Sequence, residues 1–281
     1  MTVPRPIRIP RREEHEPFGG HRLERILGHV PASPGPISML VDRPGAKAAD
    51  GDAISHTAAY VDATSPTPIY VSEGPTAIHV LWTAPRIRAE VLAGRDPYTE
   101  SDLVAFEAHP GDTVSVPAGI PFALGAGIVA FVFGSRHLCP SPDPAGWSRS
   151  PLPRSPGHGL NLFDRFNRRT ICAAHEDILL ERWKISHPLD LELDPARWHY
   201  LTNLVEPVAL SWPGGSEILD RTASRLLPAG IDRITIVPGG LGYVLIGSVP
   251  DLARDVVLPL RRAGYDNQTI ASLVTRGDLA E

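Results

Sequence analysis

The sequence predicts a mostly β protein with two barrel-like units in series, and three observations predict it. Its 30 prolines and 25 glycines interrupt the 281 residues too often for long helices, yet suit short strands joined by turns. Apolar runs of strand length recur in two sets of similar size, at 37–133 and 178–246. Between them, residues 134–159 carry so many prolines that neither helix nor central strand can form, which marks a linker or long surface loop. A hydrophobic content of 42% and a charged content of 21% are those of a globular chain, and the length allows each unit its own core.

Taken in order, residues 1–36 are rich in Pro, Arg, Glu and Gly and read as an arm laid over a barrel, with one helix-compatible piece at 21–27. The first barrel is assigned to 37–135 from the runs 37–41, 67–71, 77–82, 113–116 and 128–133, which are separated by Gly, Pro or Asp. A polar segment at 97–106 carries Thr99, Ser101 and Asp102 as start signals of a short helix. The linker is placed at 136–159. The second barrel, 160–250, follows from the runs 178–185, 200–205, 208–212, 225–227, 234–237 and 242–246. Residues 252–263 and 267–274 have helical periodicity, with Gly264 as a C-cap and Asp266 as an N-cap. The last segment, 251–281, is therefore expected to be a helical hairpin rather than a strand, packed on the second barrel or mediating a homodimer.

Charge and cysteine content narrow the function classes. A net charge of -5 without a basic, aromatic-interleaved stripe argues against a nucleic-acid partner. Lys47 and Lys184 are the only lysines, which leaves almost no candidate for Schiff-base chemistry. Cys139 and Cys172 are too few for a disulfide scaffold and too far apart for a zinc knuckle, so both are expected as free thiols in a reducing compartment. The first 12 residues lack an apolar signal core, and no stretch approaches the roughly 20 apolar residues of a membrane span. A cytoplasmic protein without a membrane partner is the expectation. No Gly-x-Ser-x-Gly, P-loop or dinucleotide fingerprint occurs.

The sharpest motif is Gly111-Asp112-Thr113-Val114-Ser115-Val116-Pro117-Ala118-Gly119-Ile120-Pro121-Phe122, followed by Ala-Leu-Gly-Ala-Gly-Ile at 123–128. Gly111-Asp112 makes the turn into a strand and Pro117-Ala118-Gly119 the turn out of it, which aims the residue three beyond Gly119 at the barrel interior. The block resembles the second cupin motif, a Gly, five residues, Pro-x-Gly, two residues and a histidine, and its tail resembles the form found in type I phosphomannose isomerases. Residues 17–23, 160–168 and 226–238 are similar to further segments of those enzymes. The resemblance implies two cupin-type jelly-roll barrels in tandem and a sugar phosphate substrate.

It also implies a zinc held by a Gln, a Glu and two His, and here the chain departs from the family. Phe122 stands where the motif histidine belongs, Ala77 where the Glu ligand belongs and Pro75 where a substrate-contacting Lys belongs. No Gln-x-His lies between Gly51 and Gly74, where His56 is the only imidazole, and Asn161 replaces an arginine. Phenylalanine and alanine offer no lone pair, so no metal cofactor is expected.

Several polar residues remain as candidates. His79 alternates with Ile78 and Val80, so it points away from them, either toward the pocket vacated by the metal or into a hydrogen bond of the fold. Arg136 and His137 follow a strand end and suit an anion, or a solvated loop. Arg165, Arg168 and Arg169 cluster around Phe166 as a phosphate clamp or a surface set with Asp164. Of Glu181 and Arg182 one must face inward, as an acid or base or as half of a Glu–Arg pair. Successive residues in an extended turn diverge, so His175-Glu176-Asp177 is not expected to hold a metal. Trp183, Trp198 and Trp212 read as core or rim aromatics of the second barrel.

Three functions follow. One is a metal-free binding protein for a carbohydrate or sugar phosphate, with His79, Phe122, Arg136, His137, Asn161, Arg165 and Arg168 around the ligand. The second is an active mannose-6-phosphate isomerase using His56, Glu73, His79 or Glu107 as substitute ligands. The third is a metal-independent epimerase or cyclase with His79 or Glu181 as general base.

Overall fold

The computed structural model describes residues 4–28, 32, 35–42, 56–94, 103–135, 139–140, 157–164 and 166–275. The chain folds as two compact units, one of Arg11–Arg43 with Ser55–Gly159, the other of Met1–Pro10 and Pro44–Ile54 with Leu160–Glu281.

In the unit around Ser55–Gly159 one antiparallel sheet runs in the order Arg11–Glu14, Met39–Asp42, His56–Ala63, Ile128–Ser135, Thr76–Thr83, Thr113–Val116. A second runs Cys139–Pro140, Tyr70–Val71, Pro121–Leu124, Glu90–Gly94, Leu103–Glu107. Alternate residues of both sheets meet in one apolar cluster, with Val61, Ile78, Val80, Val114 and Val132 from the first and Tyr70, Val91, Phe122 and Leu124 from the second. The period of two thus decides which side chains see this core.

In the unit around Leu160–Glu281 one sheet runs Ile7–Arg8, Ser224–Leu227, His199–Asn203, Gly242–Ser248, Leu179–Ile185, Asn167–His175, Leu160–Asp164. The other runs Leu189–Glu192, Arg233–Pro238, Val208–Trp212, Gly215–Leu219. Trp183, Leu201, Val244 and Ile246 of the first sheet pack against Leu210, Leu219, Ile234 and Ile236 of the second.

Several sequence expectations change. The arm is not merely laid over a barrel, because Ile7–Arg8 and Arg11–Glu14 pair as strands. Helix Arg22–Leu27 forms as expected and ends on Gly28, in the left-handed region at φ 65°. Its first residue is held by Asp62, which accepts from the Arg22 amide at 2.8 Å and from its guanidinium at 3.1 Å.

His56–Ala63 escapes the apolar-run reading because three of its residues are alanines, yet it is buried along its whole length between two neighbours. Leu103–Glu107 is a strand paired with Glu90–Gly94 rather than part of a helix, its β-branched and aromatic residues suiting the ladder. The start signals Thr99, Ser101 and Asp102 lie outside the described residues.

At the other end, a π-helical turn Leu252–Val257 runs into helix Leu258–Arg262, and helix Asn267–Leu273 follows. Asp266 accepts from the Thr269 amide at 2.7 Å as the predicted N-cap, and Gly264 at φ 91° makes the turn before it. Val256, Leu260 and Ile270 pack with Ile171 and Ala174 of the sheet. Among the described residues the helices are followed by Val274–Thr275, a short strand parallel to Asn167–His175 that the sequence reading did not expect. Among the described residues no helix is long and apolar enough to cross a membrane.

Candidate ligand site

The motif position is occupied by hydrocarbon. Gly111 at φ 96° and Gly119 at φ 72° make the predicted turns, and the Gly119 amide donates to the Ser72 carbonyl at 2.8 Å. Phe122 is thereby placed on Pro121–Leu124 between Tyr70–Val71 and Glu90–Gly94, 1% exposed, with its ring 5.9 Å from that of Tyr70. Burial, then the nearby Glu16 and Glu14, push the Tyr70 hydroxyl pKa well up, so it stays protonated. These residues do not fit a zinc ion, which needs three or four converging N, O or S ligands.

Ile78 and Val80 belong to this core and His79 does not. It lies on the opposite face of its sheet, across from Phe131 and Thr113, 1% exposed, with Nδ1 2.8 Å from the Thr113 hydroxyl. The expectation that His79 reaches the vacated pocket is therefore corrected in favour of a hydrogen-bonded histidine of the fold. Ala77 shares that face by parity, so it does not occupy an inward ligand position either. Cross-strand register sets His56 against Ser135 and His79 against Phe131, four residues or about 13 Å apart along one strand, too far to share an ion. Glu73 and Glu107 are exposed.

Arg136, His137 and Arg165 lie outside the described residues. Asn161 is committed to structure: its Oδ1 accepts from the Thr170 hydroxyl at 2.7 Å and its carbonyl from the Tyr265 hydroxyl at 3.0 Å. Arg168 and Arg169 are consecutive in a strand and face opposite ways, Arg168 across from Phe163 and Lys184, Arg169 across from Trp183. They cannot form one phosphate clamp. His175, Glu176 and Asp177 bring one ligand atom each within 4.8 Å of one another, against the expectation that they diverge. His175 Nδ1, however, already accepts from the Asp177 amide at 3.1 Å.

The structure opens instead in the unit around Leu160–Glu281, in a cavity of about 240 Å³ beside its sandwiched core. Four neighbouring strands supply its polar floor: Arg169 on Asn167–His175, Glu181 on Leu179–Ile185, Ser248 on Gly242–Ser248 and His199 on His199–Asn203. Register aligns them, since Glu181 lies across from Ile246 and His199 across from Ser248. Of the pair weighed in the sequence, Glu181 faces in, 8% exposed. Its Oε1 accepts two hydrogen bonds from Arg169, through Nε at 2.9 Å and through an Nη, and its Oε2 accepts from the Trp183 indole at 3.2 Å. The Arg169 guanidinium also lies 5.9 Å from the Trp183 ring centroid and donates to the Asp255 carbonyl at 2.9 Å.

The rim is made by Asp194, Arg197, Arg254 and Asp255. Arg197 reaches Asp194 at 3.2 Å, Asp255 at 3.5 Å and the Val249 carbonyl at 3.1 Å, while Arg254 reaches Asp255 at 2.7 Å and Asp194 at 3.0 Å. The Ala196 amide and the two arginines hold the Asp194 carboxyl below its ordinary pKa. Beside this network His199 has its pKa lowered from 6.5, chiefly by burial, so the ring is neutral at pH 7; Glu181, Asp194 and Asp255 oppose that shift. Its Nδ1 is buried without a hydrogen-bond partner among the described residues.

His199, Arg197, Asp194 and Asp255 are missed by the sequence reading, which begins the strand of His199 at Tyr200, one residue late. The available signal was alternation, because Leu201 faces the core and His199 shares its side.

No family model and no curated protein matches this chain. Solved structures do. The mannose 6-phosphate isomerase of Bacillus subtilis superposes with a TM-score of 0.66 at 13% identity, over 86% of this chain and 99% of the other. A putative mannosephosphate isomerase from Archaeoglobus fulgidus gives 0.63 at 16% identity, over 88% and 98%. A mutant of the Salmonella typhimurium phosphomannose isomerase gives 0.63 at 9% identity, over 86% and 99%. The chain has the cupin fold of the mannose-6-phosphate isomerases, at identities that speak for the fold alone.

Proposed function

We propose that this chain is a metal-free, isomerase-like protein of two cupin-type barrels in tandem, at 37–135 and 160–250, that binds a carbohydrate or sugar phosphate without the parent isomerase activity. Its ligand sits in the second barrel, not in the first. One observation carries this reading: the described residues build a buried hydrogen-bonding cavity around Glu181, Trp183 and His199, while the motif position in the first barrel is filled by Phe122. At about 240 Å³ the cavity falls just below the roughly 300–1,000 Å³ of drug-sized sites, which suits one monosaccharide.

Donors and acceptors beside an indole match the amphipathic surface of a sugar ring. Thermal melting with a panel of monosaccharides and their phosphates tests the proposal. A native-state ligand at about 100 times its Kd adds about 2.7 kcal/mol to stability and raises the Tm. Ser248→Phe, which fills the cavity, should abolish that rise. Conversion of mannose 6-phosphate to fructose 6-phosphate in a coupled assay, or no shift with any sugar, would overturn it.

A further inference from the structure

We infer that the ligand of this cavity is an uncharged monosaccharide or polyol and not a sugar phosphate; the inference rests on the placement of the site in the second barrel. A phosphate monoester is recognised by arginine or lysine donors that lack a carboxylate partner, or by the free amides at a helix N-terminus. Among the described residues the cavity has neither. Its three arginines all hold carboxylates already: Arg169 holds Glu181, and Arg197 and Arg254 each bridge Asp194 and Asp255. A phosphate oxygen would have to share each guanidinium with a carboxylate whose negative charge repels it.

Counting Glu192, four carboxylates and three guanidinium groups line the space, so it has no positive surplus. The helical N-terminus at the rim, that of Leu252–Val257, is closed by the chain's own anion, since Asp251 Oδ1 accepts from the Ala253 and Arg254 amides at 3.1 and 3.2 Å.

Hydroxyl groups, in contrast, need no charge of either sign. The Ser248 hydroxyl lies on the floor, His199 contributes a buried nitrogen with unused capacity, and the paired carboxylates keep lone pairs for O–H donors. Specificity against phosphate then comes from the rim, where Asp194 neutralises both Arg197 and Arg254.

Calorimetry of the full chain with a neutral hexose and with its 6-phosphate, at one ionic strength, is the test. The hexose found to stabilise the protein is expected to bind at least about tenfold more tightly than its phosphate. Asp194→Asn, which frees positive charge at the rim, should raise the ratio of phosphate to hexose affinity at least about threefold, an asymmetry that general loosening would not give. Tighter binding of the phosphate to the unaltered protein would overturn the inference and leave the site standing. An unchanged ratio in Asp194→Asn would also overturn it. If neither compound binds, the site and the inference fall together.

Discussion

Replacing Glu181 by leucine removes the acceptor of three hydrogen bonds at once, two from Arg169 and one from the Trp183 indole. The two charged side chains are only 18% and 10% exposed, so solvent screens their attraction weakly. Arg169 would keep the Asp255 carbonyl at 2.9 Å and the face of Trp183, neither of which neutralises it. Breaking a buried pair from one side costs about 3–5 kcal/mol, because the remaining charge stays desolvated. With a urea slope of about 2 kcal/mol per molar, that shifts the midpoint down by about 1.5–2.5 M. Tryptophan fluorescence follows this unit through Trp183, Trp198 and Trp212. Adding Arg169→Met should recover at least half of the loss, since two apolar chains replace two ions. A single-variant shift under about 0.5 M, close to 1 kcal/mol, would place the pair in the solvated regime and refute its burial.

Two further outcomes are expected. Because the folded-state pKa of His199 is depressed, its contribution to stability is present above its unfolded value and is lost as pH falls through the folded one. The wild type should lose stability between pH 7 and 5 at up to about 1.4 kcal/mol per pH unit more steeply than His199→Gln, and equal slopes in urea titrations at each pH would contradict this. Phe122→His restores the motif residue in an apolar setting and should cost about 2–4 kcal/mol. Like the unaltered chain purified without chelator, it should carry well under one equivalent of zinc by elemental analysis. One tightly held equivalent in either protein would mean that ligands converge where Tyr70 and Phe122 now pack.

The fold was more legible than the site. Strand-length runs such as 113–116 and 208–212 coincide with strands because the sheets bury alternate apolar residues, and the turns at Gly111 and Gly119 were readable from their residue types. His56–Ala63 was hidden because a strand buried on both faces can be built from small residues that carry no period-two signal. The cavity was hidden for a different reason. Its polar residues lie at 169, 181, 199, 248 and 255, on elements adjacent in space but not in sequence, and no spacing rule links them. Resemblance pointed to the unit around Ser55–Gly159, and side-chain parity takes both His79 and Ala77 out of its core.

The pairing of Ile7–Arg8 with Ser224–Leu227 has a consequence for how the chain is made. These partners are distant in sequence, so Ile7–Arg8 must wait for the synthesis of Ser224–Leu227 before it has a place. Until then the outer edge of Ser224–Leu227 is unprotected, and an exposed edge is a template for pairing with another molecule. A deletion of Ile7–Arg8, far in sequence from the cavity, would therefore act on yield and self-association, because it leaves that edge open.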